Sequence, residues 1–312
     1  KLTPRVRETA RRLWLIYVSL TALLTIILFF AGMTFYDAIN HALTTMATGG
    51  FSTRNASMAA YDTPYIQYPI ILFMMLAGTN YTVLYFGIKQ RWKKVFQFDE
   101  FKMYLVVVGV LTLVFTLGIQ LHSDKDLEAA FREGAFQVVS LVTTTGYVSA
   151  DYTQYAHWFT MLAFILMFVG ACAGSTSGGI KLVRHLVFLK NSFREFKRIL
   201  HPRAVIYLKM NKQVVQPRVV THILVFLLIY LISFVIGSLV VAILGLDFTT
   251  AIGAVATSLG NVGPGIGSVG PVDNFAHLSP AVKWVLSFLM LIGRLELFTI
   301  LVLFTPYFWK SN

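Results

Sequence analysis

The chain has 312 residues, 56% of them apolar and only 13% charged, with a mean hydropathy of +0.69, values that exclude an ordinary soluble domain. The net charge of +12 invites a nucleic-acid reading, but the charges sort by loop in a way that a nucleic-acid interface does not require. A single cysteine, Cys172, lies in an apolar run, which rules out an internal disulfide and supplies no thiol pair for a metal or redox site.

Six apolar runs approach or exceed the roughly 20 residues that a helix needs to cross about 30 Å of hydrocarbon. They fall at roughly 13–32, 66–88, 103–121, 156–180, 219–245 and 281–305. The stretches between them are too short and too apolar for a separate globular domain, so the sequence predicts one all-α integral membrane protein. The first run is long enough to span and lacks a small-residue cleavage site, so it reads as retained. If the N-terminus faces the cytoplasm, the inner segments hold 21 Lys/Arg: five in 1–12, five in 89–102, ten in 181–218, and Lys310. The same segments hold four acids, whereas the outer segments hold four basic residues against nine acids. This bias predicts a multi-pass protein with its N-terminus cytoplasmic. Trp14, Trp92, Trp158, Trp284 and Trp309 all sit near predicted span ends, as interfacial anchors do.

Laying the segments between paired runs under one another reveals an internal repeat. Asp37 to Ser52, Glu133 to Val148 and Thr250 to Gly265 each begin with an apolar body of about three turns and end in a small, Gly-containing stretch. Aligning Gly50, Gly146 and Gly263 also aligns Thr44, Ser140 and Thr257, and sets Thr48 and Thr144 opposite Asn261. A half-length apolar helix must enter the bilayer and return, which is tolerable only where the following backbone lines a wet cavity. The expectation is a re-entrant pore loop: a short helix with its partly negative C-terminus at mid-membrane, then backbone carbonyls that replace the hydration of a cation. The expected filter residues are Thr48, Gly49 and Gly50; Thr144, Thr145 and Gly146; and Asn261, Val262 and Gly263. Any one such segment alone reads better as a plain loop or a helix-packing site. Three in register, each between two spans, favour the filter. The repeats divide the chain into pore units at 1–100, 101–215 and 216–312.

Downstream of the second filter segment, Gly170 to Lys181 interrupts an apolar run with four glycines and three hydroxyl residues. Two readings stay open on the residues alone: an unwound stretch against the pore, or a small-residue packing face in an unbroken helix. Arg294 lies near the middle of the final run, where a charge marks function by default. It is expected to point to the pore axis beneath the filter and to touch the Gly170 to Lys181 loop, with a salt bridge serving assembly as the alternative. Glu296, two residues on, is on another face of a helix, so each of the two needs its own partner. The ten basic residues of 181–218 suit either a protein partner or anionic headgroups.

No convergent nucleophile, base and orienter appears, and the seven histidines are scattered, so no enzyme is expected; His41 reads as a polar residue at the pore mouth. A secondary cation transporter working by alternating access is the rival class, because interrupted helices also build midplane sites, but its usual sign is an inverted repeat and these units run in one direction.

Met46-Ala-Thr-Gly-Gly-Phe-Ser-Thr53, Thr143-Thr-Thr-Gly-Tyr147, Gly170-Ala-Cys-Ala-Gly-Ser-Thr-Ser-Gly-Gly-Ile-Lys181, His201-Pro-Arg-Ala-Val205, Leu259-Gly-Asn-Val-Gly-Pro-Gly265 and Gly293-Arg-Leu-Glu-Leu-Phe298 stand along nearly the whole chain. Through them it resembles the bacterial Trk/Ktr/HKT superfamily of potassium transporters, and within it the TrkH-type membrane subunit. The resemblance implies helix, pore-loop, helix units around a pseudo-fourfold cation pore, potassium as the transported ion, no organic cofactor in this chain, and residence in the cell inner membrane. It further implies a homodimer gated by a cytosolic nucleotide-binding ring of TrkA type. It favours the gate reading for Gly174, Ser175, Thr176, Ser177, Gly178, Gly179 and Lys181, together with Arg294. One departure stands out: the family builds four units, whereas three are visible here, which suggests a fragment or a split protein with a separate N-terminal repeat.

Overall fold

The structure, a computed structural model, describes residues 4–309; Lys1 and Lys310, counted above among the inner basic residues, lie outside them. Three times in chain order a long apolar helix is followed by a short helix and then by a helix that breaks. The long helices are α1 (Pro4–Phe30), α6 (Asp99–His122) and α10 (Pro217–Ile243), and the short ones are α2 (Phe35–Met46), α7 (Leu127–Val142) and α11 (Phe248–Gly260). The broken elements are α3 (Pro64–Gly78) with α4 (Tyr81–Ile88), α8 (His157–Leu166) with α9 (Leu182–Leu200), and α12 (Pro280–Arg294) with α13 (Leu297–Leu303). Two single turns, α5 (Trp92–Val95) and α14 (Pro306–Trp309), complete the helices.

Local chemistry sets these boundaries. Pro64, Pro217 and Pro280 open α3, α10 and α12, where the missing N–H is not needed. Thr34, Asp247 and Ser279 cap α2, α11 and α12 by accepting the backbone N–H of Asp37, Thr250 and Val282. The short helices form the core and the long ones wrap it. Every residue of α7 from Arg132 to Val142 is buried, as is α11 from Gly253 to Gly260. By contrast only 17% of the most apolar window of α10 is buried, which leaves its Leu, Ile and Val side chains for lipid.

Two expectations from the sequence need correction. The runs at 66–88 and 281–305 are not continuous spans: α3 and α4 meet at 111°, and α12 and α13 at 115°. The breaks fall at Gly78-Thr79-Asn80, where the Asn80 side chain restarts the helix by accepting the Thr82 N–H at 2.8 Å, and at Leu295-Glu296, where Glu296 takes a left-handed φ of 68°. The basic segment 181–218 has structure of its own. It holds the 19-residue α9 and a hairpin, β1 (Lys209–Met210) paired antiparallel with β2 (Gln213–Val214), turned by Asn211 and Lys212 at φ 49° and 65°. Asp99 pins that hairpin at the start of α6: its carboxylate accepts the Asn211 N–H at 3.1 Å and the Lys190 ammonium at 2.8 Å.

At the opposite end of the molecule, buried Arg132 of α7 joins Asp62 (2.7 Å), Gln67 (2.8 Å) and Glu128 (3.2 Å), tying α7 to the start of α3. Beside it, burial opposes the charge on Lys125, but bonds to Glu133 and Tyr155 outweigh that and raise its pKa.

Two glycines of α6 separate packing from lipid exposure. A Cβ on Gly118 would lie 2.5 Å from the Phe159 ring and 2.6 Å from Trp158, which stack on each other at 4.2 Å, whereas a Cβ on Gly109 would meet nothing within 4 Å. Gly118→Ala is therefore expected to destabilise by about 1–3 kcal/mol through overpacking. Gly109→Ala should stay within about 0.5 kcal/mol of the parent. Thermal midpoints in detergent, read by size-exclusion chromatography, decide it; equal midpoints for the two variants would count against this packing of α6 on α8.

Candidate functional site: three left-handed turns above a broken-helix layer

The ends of the three short helices adopt one backbone path. After α2, Thr48 and Gly50 have φ 50° and 65°; after α7, Thr144 and Gly146 have 54° and 78°; after α11, Asn261 and Gly263 have 54° and 122°. The hydrogen bonds repeat in the same register. The N–H groups of Thr48, Thr144 and Asn261 donate to the carbonyls of Thr45, Leu141 and Ser258, and those of Gly49, Thr145 and Val262 donate to Thr44, Ser140 and Thr257. The chain then leaves helical pairing, so the following carbonyls are free to turn inward.

Neighbouring turns sit edge to edge. A Cβ built on Gly50 would lie 1.8 Å from the carbonyl oxygen of Thr145, and one on Gly146 would lie 1.8 Å from that of Val262. Left-handed φ and contact of this closeness together admit only glycine. Hydroxyls of the short helices brace the outgoing strands: Thr44 Oγ1 donates to the Phe51 carbonyl at 2.9 Å, Ser140 Oγ to that of Tyr147 at 2.7 Å, and Thr257 Oγ1 accepts the Gly263 N–H at 2.8 Å.

Below the turns, Met167 to Lys181 runs without helix. Its backbone pairs with the break between α3 and α4. Cys172 N–H donates to the Gly78 carbonyl at 3.0 Å, Tyr81 N–H donates to Gly174 at 3.2 Å, and Asn80 Nδ2 donates to Ala173 at 2.6 Å. Two interrupted helices thus satisfy each other. Of the two readings left open for Gly170 to Lys181, the unwound one describes the structure. Gly178 shows why a small residue stands there, since a Cβ would come within 2.7 Å of the Gly260 carbonyl.

The left-handed residues tie the turns to this lower layer. Thr48 Oγ1 donates to the Thr176 carbonyl at 2.8 Å, Thr144 Oγ1 accepts the Gly178 N–H at 2.6 Å, and Asn261 Nδ2 donates to Met290 at 3.1 Å. Arg294, the last residue of α12, lines a cavity of about 340 Å³ that is also walled by Gly174, Ser175, Thr176, Ser177, Gly178, Gly179 and Lys181. Its Nη2 donates to the Ala47 carbonyl, the C-cap of α2, at 3.2 Å. Lys181 folds back so that its ammonium donates to the backbone and hydroxyl oxygens of Ser177. Glu296 turns away from Arg294 and pairs with Arg184 of α9.

A family profile described as TrkH, cation transport protein, matches residues 1–311. The chain belongs to the TrkH family. It is 40% identical over its whole length to the Trk system potassium uptake protein TrkH of Salmonella typhimurium, and 39% identical to that of Escherichia coli. In both cases the match covers 64% of the relative, so the chain spans less than two thirds of their length. Among solved structures, the potassium transporter TrkH from Vibrio parahaemolyticus superposes with a TM-score of 0.92 at 37% identity, covering 99% of this chain and 66% of that one. The fold is thereby that of an all-α membrane transporter of this family.

Several structural residues of the site carry no sequence signal that single-chain reading could weigh. His41, expected as a polar residue at the pore mouth, is fully buried: Nδ1 bonds to the Asp37 carbonyl at 2.7 Å and Nε2 to Ser52 Oγ at 2.9 Å, anchoring the strand that leaves the first turn. Tyr147 and Tyr152 act as cross-struts. The Tyr147 hydroxyl reaches Thr44 Oγ1 at 2.6 Å and the His41 carbonyl at 3.1 Å, and that of Tyr152 donates to Gly265 at 2.8 Å, so the middle segment is bolted to both neighbours. Glu100 staples the non-helical stretch, with Oε1 accepting N–H groups from Ala173 at 2.6 Å and Val183 at 3.0 Å.

Removing that staple leaves two part-buried donors without their acceptor, and Glu100→Ala should cost on the order of 1–3 kcal/mol of local stability. The chain's one cysteine reports on it, because Cys172 is completely buried beside Ala173. Alkylation of Cys172 by a membrane-permeant maleimide should accelerate in Glu100→Ala and stay slow in Glu100→Gln, whose amide oxygen still accepts. Equal labelling of Glu100→Ala and the parent would remove Glu100 from this role.

Proposed function

We propose that the chain forms three units of a gated pore that passes potassium ions across a bacterial inner membrane, with Thr48 to Gly50, Thr144 to Gly146 and Asn261 to Gly263 as filter strands. The observation that carries the proposal is the shared left-handed path of these three turns and their edge-to-edge contact. A partly dehydrated cation needs oxygen ligands on several sides, and converging carbonyls at the negative ends of three short helices supply them without a carboxylate that would hold the ion too tightly. A fourth such unit, from another segment, would close the ring into a pseudo-fourfold axis. In this reading the basic α9 end is cytoplasmic and the Arg132 end external, as the charge bias suggests. The names of the relatives support potassium as the ion. A homodimer and a cytosolic nucleotide-binding ring of TrkA type belong to the proposal as partners.

The gate in this proposal is the Gly174 to Lys181 stretch with Arg294. A guanidinium held at the C-cap of α2 sets a positive charge in the cavity directly beneath the first turn, where it raises the barrier to cations. The loop is held at its ends by backbone bonds and Glu100 and in its middle by Thr48 and Thr144, which bond to Thr176 and Gly178, so a shift of the loop pulls directly on the first two turns.

Rubidium-tracer uptake into proteoliposomes, for the chain alone and with a fourth unit supplied, tests both parts. Uptake should be suppressed by potassium far more than by sodium, should vanish in Gly50→Ala and Gly146→Ala, and should rise at least about threefold in Arg294→Ala if the guanidinium contributes as little as about 0.7 kcal/mol to the barrier. Equal competition by sodium would overturn the selectivity assignment, and unchanged uptake in Arg294→Ala with poor folding would make that residue an assembly contact.

A further inference from the structure

A second cavity, of about 370 Å³, lies where α9, the first turns of α10 and α13 meet, and its walls are of two kinds. Arg184, Arg218 and His222 provide a cationic and hydrogen-bonding part; Val219, Ile223 and Phe298 provide an apolar part. No Asp or Glu lines it among the described residues. Arg218 and His222 are one turn apart on α10, with Arg218 Nε 3.4 Å from His222 Nε2, so they present one polar face. The place in the fold matters as much as the composition. Arg218 is the second residue of the most apolar of the three long helices, and exposed apolar side chains follow at once. Positive charge at a span end with an apolar trough running from it matches a phosphate headgroup and the acyl chain below it.

Arg184 and Phe226 wall both this cavity and the one that holds Arg294. The Arg184 guanidinium lies 3.8 Å over the Phe226 ring and pairs with Glu296 at the elbow between α12 and α13. A phosphate in the outer cavity would share Arg184 with Glu296, and two anions drawing on one guanidinium weaken each other's hold.

We propose that this groove binds an anionic phospholipid, its phosphate held by Arg184, Arg218 and His222 and an acyl chain along Val219, Ile223 and Phe298, and that occupancy is coupled to the Arg184–Glu296 pair at the elbow. The binding step does not depend on which ion the pore passes. Native mass spectrometry of the purified protein, exchanged into micelles with equal parts phosphatidylglycerol and phosphatidylcholine, reads it directly. The parent should retain phosphatidylglycerol in preference to phosphatidylcholine. The double variant Arg218→Ala, His222→Ala should lose about tenfold in that retention, the effect of one charge-assisted contact. The matched control His201→Ala, Arg203→Ala, which removes the same residue types from the exposed loop after α9, should keep it. Glu296→Gln frees Arg184 for the lipid and should raise retention several-fold. Equal retention of the two lipids by the parent, or no loss in the double variant, would overturn the site. An unchanged Glu296→Gln would overturn the coupling. Displacement of the lipid by inorganic phosphate at equal concentration would overturn the assignment to a lipid, and a dimer that retains no excess phosphatidylglycerol would overturn it in favour of a second copy of the chain as the occupant.

Discussion

Everything in this molecule depends on how backbone groups released from helical pairing inside the bilayer are satisfied, because each one left bare in hydrocarbon costs several kcal/mol. The chain releases them at two levels, in the three turns after α2, α7 and α11 and in the three breaks below. The solution is mutual. Freed N–H groups of the Gly170 to Lys181 stretch find the freed carbonyls of Ala77 and Gly78, and the side chains of Thr48, Thr144 and Asn261 join the upper layer to the lower. What this pairing leaves over is a set of carbonyls at the turns and a cavity beneath them.

Such an arrangement explains why the short helices, rather than the long ones, are the structural core. A short helix that ends in mid-membrane has to be held by its neighbours, and α7 is buried from Arg132 to its end for that reason. Side-chain hydrogen bonds carry the remaining alignment. Tyr147 and Tyr152 reach from the middle segment to the first and third, fixing the turns against sliding, while the Asp37 carboxylate accepts from Thr34, Thr53 and Arg54 to hold the first outgoing strand. These bonds sit at the rim, away from the edge-to-edge glycines, so the rim can be stiff while the floor is made of loop.

Much of this was legible in the sequence because it is written in residue types that have one physical use. Gly50, Gly146 and Gly263 aligned by spacing alone, and the left-handed φ at each is the property for which glycine is chosen. The four glycines of 170–181 signalled an interruption but left its conformation open. The breaks at Thr79 and Glu296 were not legible, because each sits inside a run whose hydropathy is that of a continuous span and because a helix bends there only in response to its neighbours. Asn80 was the one local cue, an N-cap residue followed by an apolar helix. The burial of His41 was not legible for a related reason: its two partners, the Asp37 carbonyl and Ser52, meet only once the strand after Gly50 folds back over α2. The helix of 182–200 was hidden because its basic residues were read for what they could contact, a protein partner or anionic headgroups, although its apolar residues recur at helical spacing.

The third turn is anchored differently from the other two. Thr48 and Thr144 bond to the backbone of the non-helical stretch, at Thr176 and Gly178, whereas Asn261 bonds to Met290, one turn above Arg294 in α12. Two sides of the site therefore rest on loop and the third rests on a helix that ends in the charged residue. Gly293 allows this, since a Cβ there would fall 2.0 Å from the Leu259 carbonyl and force α12 away from α11. Gly178 also packs against Gly260 and Asn261, so the loop touches all three turns while only the first two bond to it. The loop and the elbow line one cavity but are held by separate anchors, Glu100 for the loop and Arg184 for the elbow.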